Sequence, residues 1–156
     1  MINSFFIFSK TGILSGTMEK LHKKHYQYAE WSKGLFSELV SVKGTGQLLY
    51  LSGIGAEETG KEPGQIAHPG DVYAQTRLAF QKGADLLAKH GASLKDVVKI
   101  TTYLLDTREC PNYHRARREA FAGIEDLPAH TLIIVQGLAW PGMLVEVDMT
   151  ATTGNS

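Results

Sequence analysis

The chain has a single cysteine, Cys110, and that scarcity closes two routes at once. No intramolecular disulfide can form, and a zinc site built on several thiolates is excluded. Charge of one sign is lacking too, since 16 Lys plus Arg balance 16 Asp plus Glu over 156 residues. A protein that neutralises phosphates carries a basic excess, so this balance argues against RNA or DNA as the main partner. No stretch approaches the ~20 apolar residues needed to span a bilayer, so no membrane partner is expected. The early run Phe5-Phe6-Ile7-Phe8 has neither the basic flank nor the length of a secretory signal. Residues 1–29 therefore read as a flexible N-terminal extension, with Met18 as a second start, ahead of one cytoplasmic domain over 30–153.

What is present is patterned. Residues 36–42 and 47–52 suit strands, and Lys43-Gly44-Thr45-Gly46 between them predicts a hairpin turn. Residues 53–70, rich in Gly and Pro among polar groups, read as a long loop. Asp71 is placed to cap a helix running to about His90, with Gly91 as the residue that ends it. Its inward face carries Thr76, Ala79, Phe80, Gly83 and Leu87. Residues 97–105 predict a strand with Val98, Ile100, Thr102 and Leu104 on one face. Pro111 opens a second helix over about 111–122, with Tyr113, Ala116 and Ala120 inward. Strands at about 129–136 and 143–151 complete the order β-β-α-β-α-β-β. This predicts an α+β fold, two helices on one face of a mixed or mainly antiparallel sheet.

The two last strands carry apolar bulk on both faces. His130, Leu132 and Ile134 oppose Thr131, Ile133 and Val135, while Val145, Val147 and Met149 oppose Leu144, Glu146 and Asp148. One helix layer cannot bury both sides, so the sheet is expected to meet another copy of the chain.

Certain short motifs follow one another in fixed order. Leu51-Ser52-Gly53, Gln75-Thr76 and Leu94-Lys95-Asp96-Val97-Val98-Lys99 precede Pro128-Ala129-His130-Thr131. Leu138-Ala139-Trp140-Pro141 and Leu144-Val145-Glu146-Val147 come after. Over about residues 33–153 this ordered set resembles the Rid (YjgF-like, endoribonuclease L-PSP-like) family. The resemblance implies a chorismate-mutase-like fold and a homotrimer whose three sheets form a barrel. It also implies clefts between subunits that take a small carboxylate-bearing molecule. The implied activity is that of a deaminase or hydrolase, converting reactive enamines and imines such as 2-aminoacrylate to a 2-oxo acid and ammonia, with no cofactor.

Departures from the family pattern fall in the implied site. His130 stands where family deaminases place an Arg, His114 where an Asn is common, Phe36 for a Tyr, and Leu132 for a Cys or small residue. Ser52, Gly53, Thr131 and Glu146 are as the family has them. The resemblance assigns catalysis to Glu146 and His130, and substrate binding to Ser52, Gly53, His114, Thr131 and Phe36. An imidazole with an ordinary pKa near 6.5 is mostly neutral at pH 7 and cannot form the two-pronged pair of a guanidinium. A carboxylate beside His130 would raise that pKa. The alternative to an enzyme is a metabolite-binding protein without turnover. A ribonuclease or translation inhibitor fits less well, with no aromatic-and-basic platform in view. No metal site is expected, because His114, His130 and Glu146 come from separate elements and match no ligand spacing. Arg115, Arg117 and Arg118 read as a solvated face, and His22 and His25 as solvated polar residues.

Overall fold

The structure, a computed structural model, describes residues 20–44 and 46–154. The apolar run at residues 5–8 and Met18 lie outside the described residues, as does Thr45 of the expected turn. Eight longer elements follow in order: β1 (His22–Tyr26), β2 (Leu39–Lys43), β3 (Gly46–Ile54), α1 (Val72–Ala88), β4 (Val97–Leu104), α2 (Cys110–Ala120), β5 (Ala129–Ile134) and β6 (Val145–Gly154). From β2 onward they are the elements that the patterning predicts. The main sheet has the order β3-β6-β4-β5, with β4 and β5 parallel and the other neighbours antiparallel. It is the mixed sheet expected, with both helices on one face.

The expected hairpin between β2 and β3 does not form. β2 pairs antiparallel with β1, from Tyr26 opposite Leu39 to His22 opposite Lys43, and β3 pairs with β6 instead. The sequence His-Lys-Lys-His-Tyr carries no apolar alternation, so a strand in the segment read as an extension left no pattern to find. Polar contacts hold it in place. Lys23 Nζ reaches the Lys95 carbonyl at 3.0 Å and Asp96 Oδ1 at 3.4 Å. His25 is not merely solvated, since its Nδ1 lies 3.1 Å from Ser37 Oγ and 3.0 Å from the Leu127 carbonyl.

Asp71 caps α1 by accepting from the Ala74 N–H at 2.9 Å. At the other end Gly91 adopts φ +67°, and bonds from the Gly91 and Ala92 N–H groups to the Ala88 and Leu87 carbonyls close the helix. The face predicted to turn inward is buried: Thr76, Ala79, Phe80, Gly83 and Leu87 pack over the sheet. From β6, Val145, Val147 and Met149 meet it, as the alternation requires. In β4 an irregularity in pairing between Val97 and Lys99 turns Val97 inward, so Val97 takes the core position expected of Val98. Ile100, Thr102 and Leu104 point inward as predicted. Among the described residues no helix is long and apolar enough to cross a membrane.

Candidate functional site

Most of the residues singled out in the sequence gather into two groups, one on each side of the sheet. The first sits at the β5 edge, under α2. Ser37 bridges Ala129 and donates its N–H to the Pro128 carbonyl at 3.1 Å, which brings Phe36 alongside His130 with ring centres 6.2 Å apart. α2 supplies Tyr113, fully buried and stacked on His130 at 5.7 Å and 15°. Tyr113 OH lies 2.6 Å from Thr102 Oγ1 and 2.9 Å from His130 Nε2, and Thr102 Oγ1 is 3.2 Å from the same nitrogen. His114, one residue on, meets His130 edge-on at 6.1 Å. His114 is half-buried rather than on an open helix surface, and the two histidines share one cluster.

Arg117 overturns part of the expected solvated face. Arg115 and Arg118 are exposed, but Arg117 is only 3% exposed. The helix repeat explains it, since Arg117 is one turn after Tyr113 and next to Ala116 on the inward stripe. One Nη donates to the Leu35 carbonyl, and the buried Nε has no hydrogen-bond partner. Burial pulls this guanidinium below the usual arginine range, and the charge of Arg118 adds to that.

That charge governs its neighbours. Burial first, then Arg117, His114 and Lys99, holds the His130 imidazole down at about 3. His114 is lowered by burial and by Arg117 and Arg118. Tyr113 is pushed up to about 12 by burial. Within one chain burial and the positive charges nearest His130 lower its pKa, and a carboxylate to raise it would have to come from another copy. A linkage follows. The unfolded imidazole takes its proton near 6.5 and the folded one only near 3, so the unfolded state binds more protons between those values. This contribution to stability is complete above 6.5 and is lost as pH falls towards 3. Urea unfolding across that window is expected to show up to about 1.4 kcal/mol per pH unit from this group, removed in His130→Gln.

The second group lies on the opposite face. Glu146 and Asp148 of β6 and Tyr103 of β4 line an open pocket of about 300 Å³ together with Val135, Gly137, Leu138 and Ala139. Tyr103 OH donates to Asp148 Oδ2 at 3.0 Å. Burial, then Asp148 and Glu57, holds the Glu146 carboxyl above the usual carboxylate range. Gly53 enters through a bulge in β3 that also holds Ser52, between Leu51 opposite Met149 and Ile54 opposite Val147, while among the described residues no hydrogen bond joins Ser52 to Glu146. Gly53 has to be glycine here, since a Cβ would lie 2.0 Å from Glu146 Oε1. Gly53→Ala is therefore expected to displace the carboxylate, the mobile end of a side chain, with under ~1 kcal/mol change in stability. Any turnover that depends on Glu146 should fall ~100-fold, comparing kcat with thermal melting.

Within one chain the two groups do not meet. Thr102 and Tyr103 are consecutive on β4 and point to opposite faces. His130 bonds to Thr102, whereas Glu146 is cross-strand from Tyr103. Thr131 joins neither group, its hydroxyl accepting from Lys99 Nζ on the sheet face away from the helices. Among the described residues no three His, Cys, Asp or Glu side chains converge as a metal site. Tyr113, Thr102 and Tyr103 went unnoticed as polar partners of the site, because each also fits a core or strand pattern.

Residues 29–153 match the model of the family described as endoribonuclease L-PSP. A 3-aminoacrylate deaminase from Acinetobacter baylyi is 33% identical over 104 residues, 67% of this chain and 78% of the relative. An uncharacterised protein of Streptomyces coelicolor is 32% identical over 85 residues, 54% of this chain, and the match spans 62% of that relative's length. A crystal structure of a Rid-family protein of unknown function from Yersinia pestis superposes with a TM-score of 0.70 at 25% identity, covering 84% of this chain and 98% of the other.

Proposed function

This chain belongs to the Rid (endoribonuclease L-PSP) family, and on that premise we propose that it hydrolyses a small carboxylate-bearing imine or enamine in a cleft between two copies of itself. The observation that carries the proposal is the separation of the two groups on opposite sheet faces. Neither group is a complete site, and one copy's His130 group set against another copy's Glu146 group would make one. The apolar residues Leu48, Tyr50 and Ile133, exposed at 51%, 77% and 41%, fit a sheet that a second copy covers. A closed homotrimer satisfies that need without leaving an open edge of association.

The chemistry follows from the groups present. The enamine first takes a proton on carbon and becomes the imine. Water then adds to the imine carbon as the nitrogen gains a proton, and the carbinolamine collapses to a 2-oxo acid and ammonia. Glu146, held above the ordinary carboxylate range, retains a proton nearer to neutral pH than a free carboxyl does. It gives that proton to the substrate and recovers one from the attacking water. His130 acts as a neutral donor. With Nε2 engaged by Tyr113 and Thr102, Nδ1 carries the ring proton towards the ligand.

The relative's name, 3-aminoacrylate deaminase, supports an aminoacrylate as the first compound to try. The test generates 2-aminoacrylate or 3-aminoacrylate in situ and follows release of the oxo acid. Acceleration that rises with the oligomeric fraction supports the proposal, and an inert but correctly assembled protein overturns it. The engaged, neutral His130 favours one second reading, a metabolite-binding protein without turnover. Saturable binding of the oxo acid by an inert protein would establish that reading instead.

A further inference from the structure

We propose that Arg117 of α2 is the anion-binding cation of this site, taking over the carboxylate of the ligand from the sheet position that His130 occupies. The inference deepens the reading above and rests on it for the choice of a carboxylate over other anions. Its ground is the state of Arg117 itself. The side chain is 3% exposed, and among the described residues no carboxylate pairs with it. Its hydrogen bond is to a neutral carbonyl, that of Leu35, and Nε is left without any. A buried guanidinium in that condition is costly, and an anion that accepts from it removes the cost.

The groups around Arg117 suit an anion by their chemistry. Tyr113, His114 and His130 are close enough to feel the charge, and burial keeps both imidazoles neutral in its presence. They add no positive charge and offer N–H groups. The half-buried rings of Phe36, His114 and His130 give a small planar ligand an apolar wall. A guanidinium fork matches both oxygens of a carboxylate, which a single imidazole N–H cannot do. Helix α2 thus supplies the group that β5 lacks.

The probe is pyruvate, a 2-oxo acid of the product class, titrated by calorimetry into the assembled protein. Saturable binding is expected, weakened at least about tenfold in Arg117→Gln and unchanged in Arg115→Gln, whose exposed guanidinium lies 3.9 Å over the Tyr73 ring. Pyruvate should also shift the His114 and His130 imidazole proton resonances in the wild type and not in Arg117→Gln. Should Arg117→Gln fail to fold, Arg117→Lys decides, since it keeps the charge and loses the fork, and a severalfold weakening supports the role. Equal binding by wild type and variant overturns the inference, as does a wild type that binds no pyruvate. Turnover does not enter the test. An inert protein that holds pyruvate through Arg117 sinks the catalytic reading and leaves this one standing.

Discussion

Glu146→Gln is expected to lower the rate of oxo-acid release by about 10²–10⁴-fold, the range that a positioned acid–base group contributes, while melting and assembly stay close to wild type. The side chain lines an open pocket of about 300 Å³ beside Asp148, and burial and that neighbour both disfavour its charge. Gln keeps the shape and removes the titratable proton and the negative charge. The variant also relieves repulsion with Asp148, so a small rise in stability is the expected sign. A variant with full activity would take Glu146 out of the chemistry. A variant that no longer assembles would make the carboxylate a contact between copies instead. Together with Gly53→Ala, the two cases separate position from proton, because Gly53→Ala keeps the carboxyl and moves it.

Much of the fold was legible because burial writes a period into the sequence. Val145, Val147 and Met149 against Glu146 and Asp148 identified β6 and both of its faces, and Thr76, Ala79, Phe80, Gly83 and Leu87 did the same for α1. β1 was not legible, since His22–Tyr26 is held by hydrogen bonds of Lys23 and His25 to distant residues rather than by an apolar face. The β2–β3 hairpin was misread for the same reason. A turn-forming sequence permits a hairpin, but the partner that actually pairs with β2 wins it. Motif order was enough to single out Glu146, Gly53 and His130 as candidates. It said nothing about which face each one occupies relative to the others, and so the placing of His130 and Glu146 on opposite faces of one chain was not legible.

Arg117 shows a different limit. In a run of three arginines the composition points to solvent, while the helical repeat places the middle one, Arg117, on the stripe of Tyr113 and Ala116. Periodicity is the stronger signal when the two disagree, because a helix cannot turn one residue outward alone. The long aliphatic stem of Arg117 makes its burial tolerable, and only the head group is left in want of a partner.

The same residue decides what an arginine at position 130 would do. His130→Arg is expected to destabilise the protein by about 3–5 kcal/mol and to lower its melting temperature by ~10 °C. The variant places a second guanidinium in the field of Arg117, where a neutral ring now sits, and removes the Tyr113–His130 hydrogen bond. A gain of deaminase activity is therefore not expected from the single change. Adding Arg117→Gln should recover most of the loss, with a coupling of about 2 kcal/mol or more between the two positions in a double-mutant cycle. The double variant returns the site to one guanidinium, now on the strand, and pyruvate binding should return with it. Additive effects in that cycle would mean that the two positions do not share a charge environment. A single variant as stable as wild type would mean that Arg117 is already neutralised by an anion or by a carboxylate from another copy. Strong coupling in that cycle is the result expected if positions 117 and 130 form one site with room for one positive charge.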